Sequence, residues 1–196
     1  MPPTTDDEPD PLSTPPVSTP PKIQFELFDP LNLLTTTDYT SITTWVAAIF
    51  TQLQATGSVR AKIVNDQQMT IAHQKFSGIN STTDVLTFDL TPQTPQPPQS
   101  EENSSKSESP HSKNLDTDLL ICYDQASRQA KIHHHTPTHE LLLYIIHGTL
   151  HCLGYNDHTT QDYNTMHAYE DQLLTNAGIG PLFNPNNTTH TGDPTS

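Results

Sequence analysis

The chain has 196 residues, with 18 Pro, 7 Gly, 8 Lys+Arg against 22 Asp+Glu and a formal charge of −14. Only 32% of it is hydrophobic, well below the ~45–50% of an average globular domain. Its longest apolar run, Leu141 to Ile146, falls far short of the ~18–20 residues of a membrane span, and the acidity excludes a broad electrostatic grip on nucleic acid.

The average conceals an uneven distribution. Proline concentrates in residues 1–21 and recurs at Pro92, Pro95, Pro97, Pro98 and Pro110. Residues 1–21 and 184–196 are expected to be disordered tails, too poor in apolar side chains to offset chain entropy. Residues 91–114 are expected to be a low-complexity insertion. The blocks 22–90 and 115–183 then form one ordinary domain, 22–183 with its insertion. The start Met-Pro-Pro-Thr-Thr-Asp-Asp-Glu has neither the basic residues nor the apolar stretch of a secretory signal. Cys122 and Cys152 form no CxxC, which suits a reducing compartment. The expected location is the cytoplasm.

In chain order, Ile23, Phe25 and Leu27 alternate as in a half-buried strand over 22–28. Asp38 is placed to cap a helix over about 39–55, with Ile42, Trp45, Val46, Ile49 and Leu53 on one stripe. Gly57 reads as its stop, and Ser58 to Val64 as a second strand. Asn65 or Asp66 caps a short helix through Phe76, and Thr83 to Leu90 is strand-like. Beyond the insertion, Asp118 to Tyr123 is a continuous apolar strand, followed by a helix over about 124–133. Pro137 breaks that helix; a further helix covers about 139–153 and closes at Gly154. The last helix spans about 161–177 and stops at Gly178. Strands interspersed with helices predict a mixed α/β or α+β layer fold.

Chemistry concentrates in His147-Gly148-Thr149-Leu150-His151-Cys152-Leu153-Gly154-Tyr155-Asn156-Asp157-His158. Four residues advance ~400° on a helix, so His147 and His151 share a face. A His pair at that spacing is weak evidence alone. A third His beyond a helix-ending Gly shifts the balance to a metal, as in zinc hydrolases. Three nitrogen donors with an open fourth position describe a catalytic zinc site. The HExxH peptidases place Glu directly after the first His; here that position is Gly148, which disfavours peptide hydrolysis by that route.

The stretch resembles the signature HGxLHLxGYDH of the YbeY family of metal-dependent endoribonucleases. Thr83-Asp84-Val85-Leu86-Thr87-Phe88 resembles that family's TDVLSF strand, and Asp118-Leu119-Leu120-Ile121 its GDI segment, with Thr117 where Gly is usual. Glu140-Leu141 resembles the start of the metal-site helix, and Met166 with Glu170 falls in the expected downstream helix. The resemblance implies a single α+β domain, a small mixed sheet packed against helices with the metal-site helix central, and one Zn2+ per chain held by His147, His151 and His158, with His147 also the catalytic candidate. It implies single-strand-specific cleavage of RNA in rRNA maturation and ribosome quality control, with RNA and the small ribosomal subunit as partners, and neither DNA nor membrane. A non-catalytic ribosome-assembly factor and a zinc hydrolase of a small substrate are the alternatives.

Two departures stand out. The turn is one residue longer than the signature, so Asp157 occupies the unshifted position of the third ligand; His158 is preferred because imidazole suits zinc. Phe76 is followed by Ser77 where the family carries Arg, and Ser supplies neither its charge nor its fork. Elsewhere, His133-His134-His135 with His139 reads as a solvated helix end, with a second metal tract as the alternative. His167 and His190 read as surface residues, Cys152 and Cys122 as buried inert thiols, and Asp84 as either a turn residue or part of a cleft wall.

Overall fold

A computed structural model describes residues 23–92 and 113–183. The expected tails, His190 and most of the insertion lie outside these residues. The elements run β1 (Ile23–Phe28), α1 (Thr36–Phe50), β2 (Ala55–Val64), α2 (Asp66–Ser77), β3 (Val85–Asp89), β4 (Lys113–Cys122), α3 (Tyr123–His133), α4 (Pro137–Leu153) and α5 (Thr160–Asn176).

The strands form one mixed sheet in the order β1-β2-β4-β3. β1 and β4 run parallel to β2, with Val59 between Phe25 and Thr117, while β3 joins the outer side of β4 antiparallel. Alternation along β4 explains the layers. Leu115, Leu119 and Ile121 enter the main core with α1 and α4, whereas Leu120 and Cys122 pack with Val64 and Met69 of α2. α4 is the central helix: Leu141, Leu142, Ile145, Ile146 and Leu150 are each at most 1% exposed. The α+β architecture with a central metal-motif helix is as the sequence indicates.

Three local readings change. α1 starts at Thr36 and not near 39, because Thr35 caps it and Asp38 returns a bond to Thr35 N–H, a reciprocal capping box. Gly57 lies inside β2 and stops no helix. At φ +106° a Cβ there would sit 2.0 Å from the Leu115 carbonyl oxygen, so glycine is required by close strand contact. Pro137 opens α4 at its first turn beneath the Thr136 cap, a position where its missing N–H costs nothing.

Gly148 fixes how closely α4 lies on the sheet. A Cβ would stand 2.8 Å from both Leu119 Cδ2 and Thr87 Oγ1 and 3.5 Å from Val85 Cγ2. A glutamate at this position, as in HExxH enzymes, has no room.

Candidate metal centre

His147 and His151 project from one face of α4 near its C-terminal end. Their rings are perpendicular, with Nε2 atoms 3.0 Å apart. The opposite nitrogen of each ring is committed. His147 Nδ1 donates to Glu170 Oε1 at 2.9 Å, and His151 Nδ1 donates to the Tyr155 carbonyl at 3.1 Å. Carboxylates and carbonyls only accept, so these partners assign the proton to Nδ1 in both rings. Two bare Nε2 lone pairs then face each other, an arrangement that a shared proton or a cation relieves. The donor set fits a divalent ion with nitrogen preference.

Gly154 ends α4 in the left-handed conformation at φ 100° and turns the chain back over the pair. Tyr155 stacks on Tyr169 of α5, ring centroids 5.2 Å apart, which ties this turn to the next helix. The turn brings Asp157 in: its Oδ2 is 4.0 Å from His147 Nε2. Donor atoms of His147, His151 and Asp157 all lie within 4.8 Å of one another. His158 points outward, its side chain 85% exposed and its Nδ1 4.0 Å from Asp157 Oδ1. Of the three expected ligands, the structure thus gathers His147 and His151 and sets Asp157 beside them in the place expected of His158.

α5 supplies residues that periodicity alone did not single out. Glu170 is fully buried and also accepts from His167 Nδ1 at 2.5 Å through its second oxygen. His167 is 6% exposed, not a surface residue; it is sandwiched against Phe183 at 3.5 Å between centroids and meets Tyr163 edge-on. Burial alone would lift the Glu170 pKa, but the bonds from His147 and His167 outweigh it and hold the carboxyl below its ordinary range. For His147, burial pulls downward, while the Glu170 bond and the charges of Glu170, Asp84 and Asp157 lift the pKa above its ordinary value. The i,i+3 spacing of His167 and Glu170 was the available sequence signal.

The remaining candidates divide. His133 and His134 are exposed, as expected for a helix end. His135 is not: it bonds through Nε2 to Glu140, their side chains 11% and 3% exposed. Cys122 and Cys152 are buried free thiols, both pushed up in pKa, chiefly by desolvation. Asp84 accepts from Val85 N–H and Thr83 Oγ1, a turn role, and its charge also reaches His147. Ser77 is exposed at the end of α2. Lys113 places a cation near the site, its Nζ donating to the Cys152 carbonyl beside His151.

The sequence profile described as Endoribonuclease YbeY matches residues 32–178. The chain belongs to the YbeY family. Relatives named Endoribonuclease YbeY include that of Myxococcus xanthus, 31% identical over 139 residues, covering 70% of this chain and 43% of the relative. That of Desulforamulus reducens is 30% identical over 116 residues, covering 59% and 69%. The Chloroflexus aggregans YbeY is 30% identical over 132 residues, covering 65% and 78%. A solution structure of a Thermotoga maritima protein is similar at a TM-score of 0.47 and 18% identity, over 89% of this chain and 99% of that one. Among the described residues, no helix is long and apolar enough to cross a membrane.

Proposed function

We propose that this YbeY-family chain is a zinc-dependent endoribonuclease that cuts single-stranded RNA in rRNA maturation and ribosome quality control. It acts in the cytoplasm, with one Zn2+ per chain and the small ribosomal subunit as the source of its substrate. The observation that carries the reading is the facing pair of Nε2 atoms, 3.0 Å apart and each oriented by a partner on Nδ1. When bound, the ion supplies a Lewis acid for a phosphoryl oxygen and brings the pKa of water towards ~7.

The chain's own groups do the rest. His147 and His151 are the nitrogen donors, and Asp157 is the third donor, with His158 next to it in the turn. Glu170 keeps the His147 proton on Nδ1, so that the Nε2 lone pair is the one available to hold the ion. Gly148 leaves no carboxylate where a zinc peptidase carries its general base, which favours a phosphodiester over a peptide as substrate. Residues 22–183 form the unit carrying this activity, with 91–114 inserted and 1–21 and 184–196 outside it.

A second reading, an assembly factor that binds zinc and RNA without cutting, draws on Ser77 in place of the family Arg and on the charge of −14. One paired assay separates them. Structured RNA with single-stranded segments is incubated with matched preparations of wild type and His147→Ala. Cleavage by the wild type alone supports the nuclease, no cleavage by either supports the assembly factor, and equal cleavage by both rejects the assignment of His147.

A further inference from the structure

Glu140, Tyr144, His147 and His151 recur at intervals of four, three and four residues, so they form one continuous stripe along α4. N-terminal to His147 this stripe forms one wall of a cavity of about 200 Å³, with Asp84, Gln129, His135 and Phe183 contributing the other sides. Two links connect the lining of the cavity to the metal centre. Its Phe183 ring lies against His167, which holds Glu170 and through it His147. Its Asp84 precedes Val85, which packs at Gly148. Along the helix axis Tyr144 lies only ~4.5 Å from His147, three residues at ~1.5 Å each.

The lining specifies the occupant. Tyr144 is 6% exposed; among the described residues its buried hydroxyl makes no hydrogen bond of normal geometry, although it lies beside the Glu140 carboxylate. Glu140, 3% exposed, is tied to His135, and Gln129 presents both an amide donor and an acceptor. Among the described residues, two carboxylates and no Lys or Arg line the cavity, a lining that disfavours a phosphate. Leu143, Leu182 and Phe183 supply an apolar wall. A neutral flat heterocycle with its own donors and acceptors matches this chemistry. At ~30 Å³ per water the volume corresponds to a handful of waters, room for one nucleobase and too little for a base pair.

Building on the RNA-cleavage reading, we propose that this cavity receives one unpaired RNA base, that of a nucleotide adjoining the phosphate at the metal, and that the Tyr144 hydroxyl binds the base edge. A base held in a duplex cannot enter without leaving its stack, so the cavity selects single-stranded substrate at the cutting point.

The test titrates adenosine, guanosine, cytidine and uridine separately into the full-length protein and follows the aromatic NMR signals of Tyr144 and Phe183. At least one nucleoside is expected to shift both signals saturably. Tyr144→Phe is expected to weaken that nucleoside about fivefold, the worth of one neutral hydrogen bond, and to raise KM for single-stranded RNA in the same direction. Gln129→Ala, on a half-exposed helix face, provides a second variant if Tyr144→Phe does not fold. Nucleoside binding without RNA cleavage leaves the base cavity standing and removes the nuclease reading. Cleavage with no saturable shift, or with equal nucleoside affinity in wild type and both variants, overturns the base cavity and leaves the nuclease reading intact. Neither binding nor cleavage overturns both.

Discussion

One oxygen of Glu170 accepts the Nδ1 proton of His147 at 2.9 Å, while the other accepts from His167 at 2.5 Å. A single buried carboxylate therefore sets the orientation of a candidate ligand on α4 from the neighbouring helix. Partners of this kind raise ligand basicity and fix the tautomer, and their loss typically costs ~10–100-fold in metal affinity. Glu170→Gln keeps the shape and removes the charge. Competition with a chromophoric chelator is expected to show zinc affinity reduced within that range, and unchanged affinity would exclude the positioning role. His167→Phe, which keeps a ring against Phe183, is expected to give a smaller loss in the same direction.

The His147–Glu170 pair also predicts how the metal-free protein responds to pH. The raised His147 pKa means that its stabilising contribution is fully present below the unfolded value of 6.5 and is lost as pH rises through the folded value. Glu170, lowered below 4.5, contributes stability that is lost as pH falls through its folded value. Thermal stability of the zinc-free chain is thus expected to be highest between the two and to decline on both sides. Zinc competes with the proton at Nε2, so zinc affinity is expected to drop as pH is lowered through the raised His147 pKa. Melting curves of wild type and Glu170→Gln across pH check this; identical profiles would sink the idea.

The lengthened turn sets Asp157 and His158 against each other. Asp157→Ala is expected to reduce zinc affinity by at least about tenfold, whereas His158→Ala, with its side chain 85% exposed, is expected to change it little. Isothermal titration of both variants decides. The reverse result would assign the third position to His158 and imply that the turn rearranges around the ion.

Gly148→Ala tests the approach of α4 to the sheet. The added Cβ meets Leu119 Cδ2 and Thr87 Oγ1 at 2.8 Å, and overpacking of this kind typically costs ~1–3 kcal/mol. Urea unfolding is expected to show a lower midpoint at unchanged slope. A midpoint equal to wild type would mean that helix and sheet separate freely here.

Neither thiol is expected to react in the folded protein. Cys122 and Cys152 are 0% and 5% exposed, and burial keeps both protonated. A thiol-reactive dye should label them only after unfolding, and rapid native labelling of Cys152 would reveal opening at the end of α4.

Much of this site was legible because it obeys helical spacing. The four-residue step from His147 to His151, the Gly154 stop and the apolar faces of α4 all follow from one period. The choice between Asp157 and His158 depends on the dihedral angles of an irregular turn, which no periodicity encodes. His167 read as a surface residue because α5 is polar on average; its burial comes from Phe183 folding back after the helix. The Glu170 bond to His147 needed the packing of two helices as well as the downstream Glu that the family resemblance had marked. Gly57 was misread for a related reason: a glycine after a helix and a glycine inside a strand differ only in the neighbouring strand that crowds it.

The nearby donors His147, His151 and Asp157 belong to a single helix and the turn that follows it. An ion gathering ligands from distant parts of a chain closes large loops and so contributes heavily to folding. Here the loops closed are short, and the hydrophobic core beneath α4 has already ordered them. On the zinc-dependent reading proposed above, removing the ion is therefore expected to abolish cleavage while leaving the fold in place.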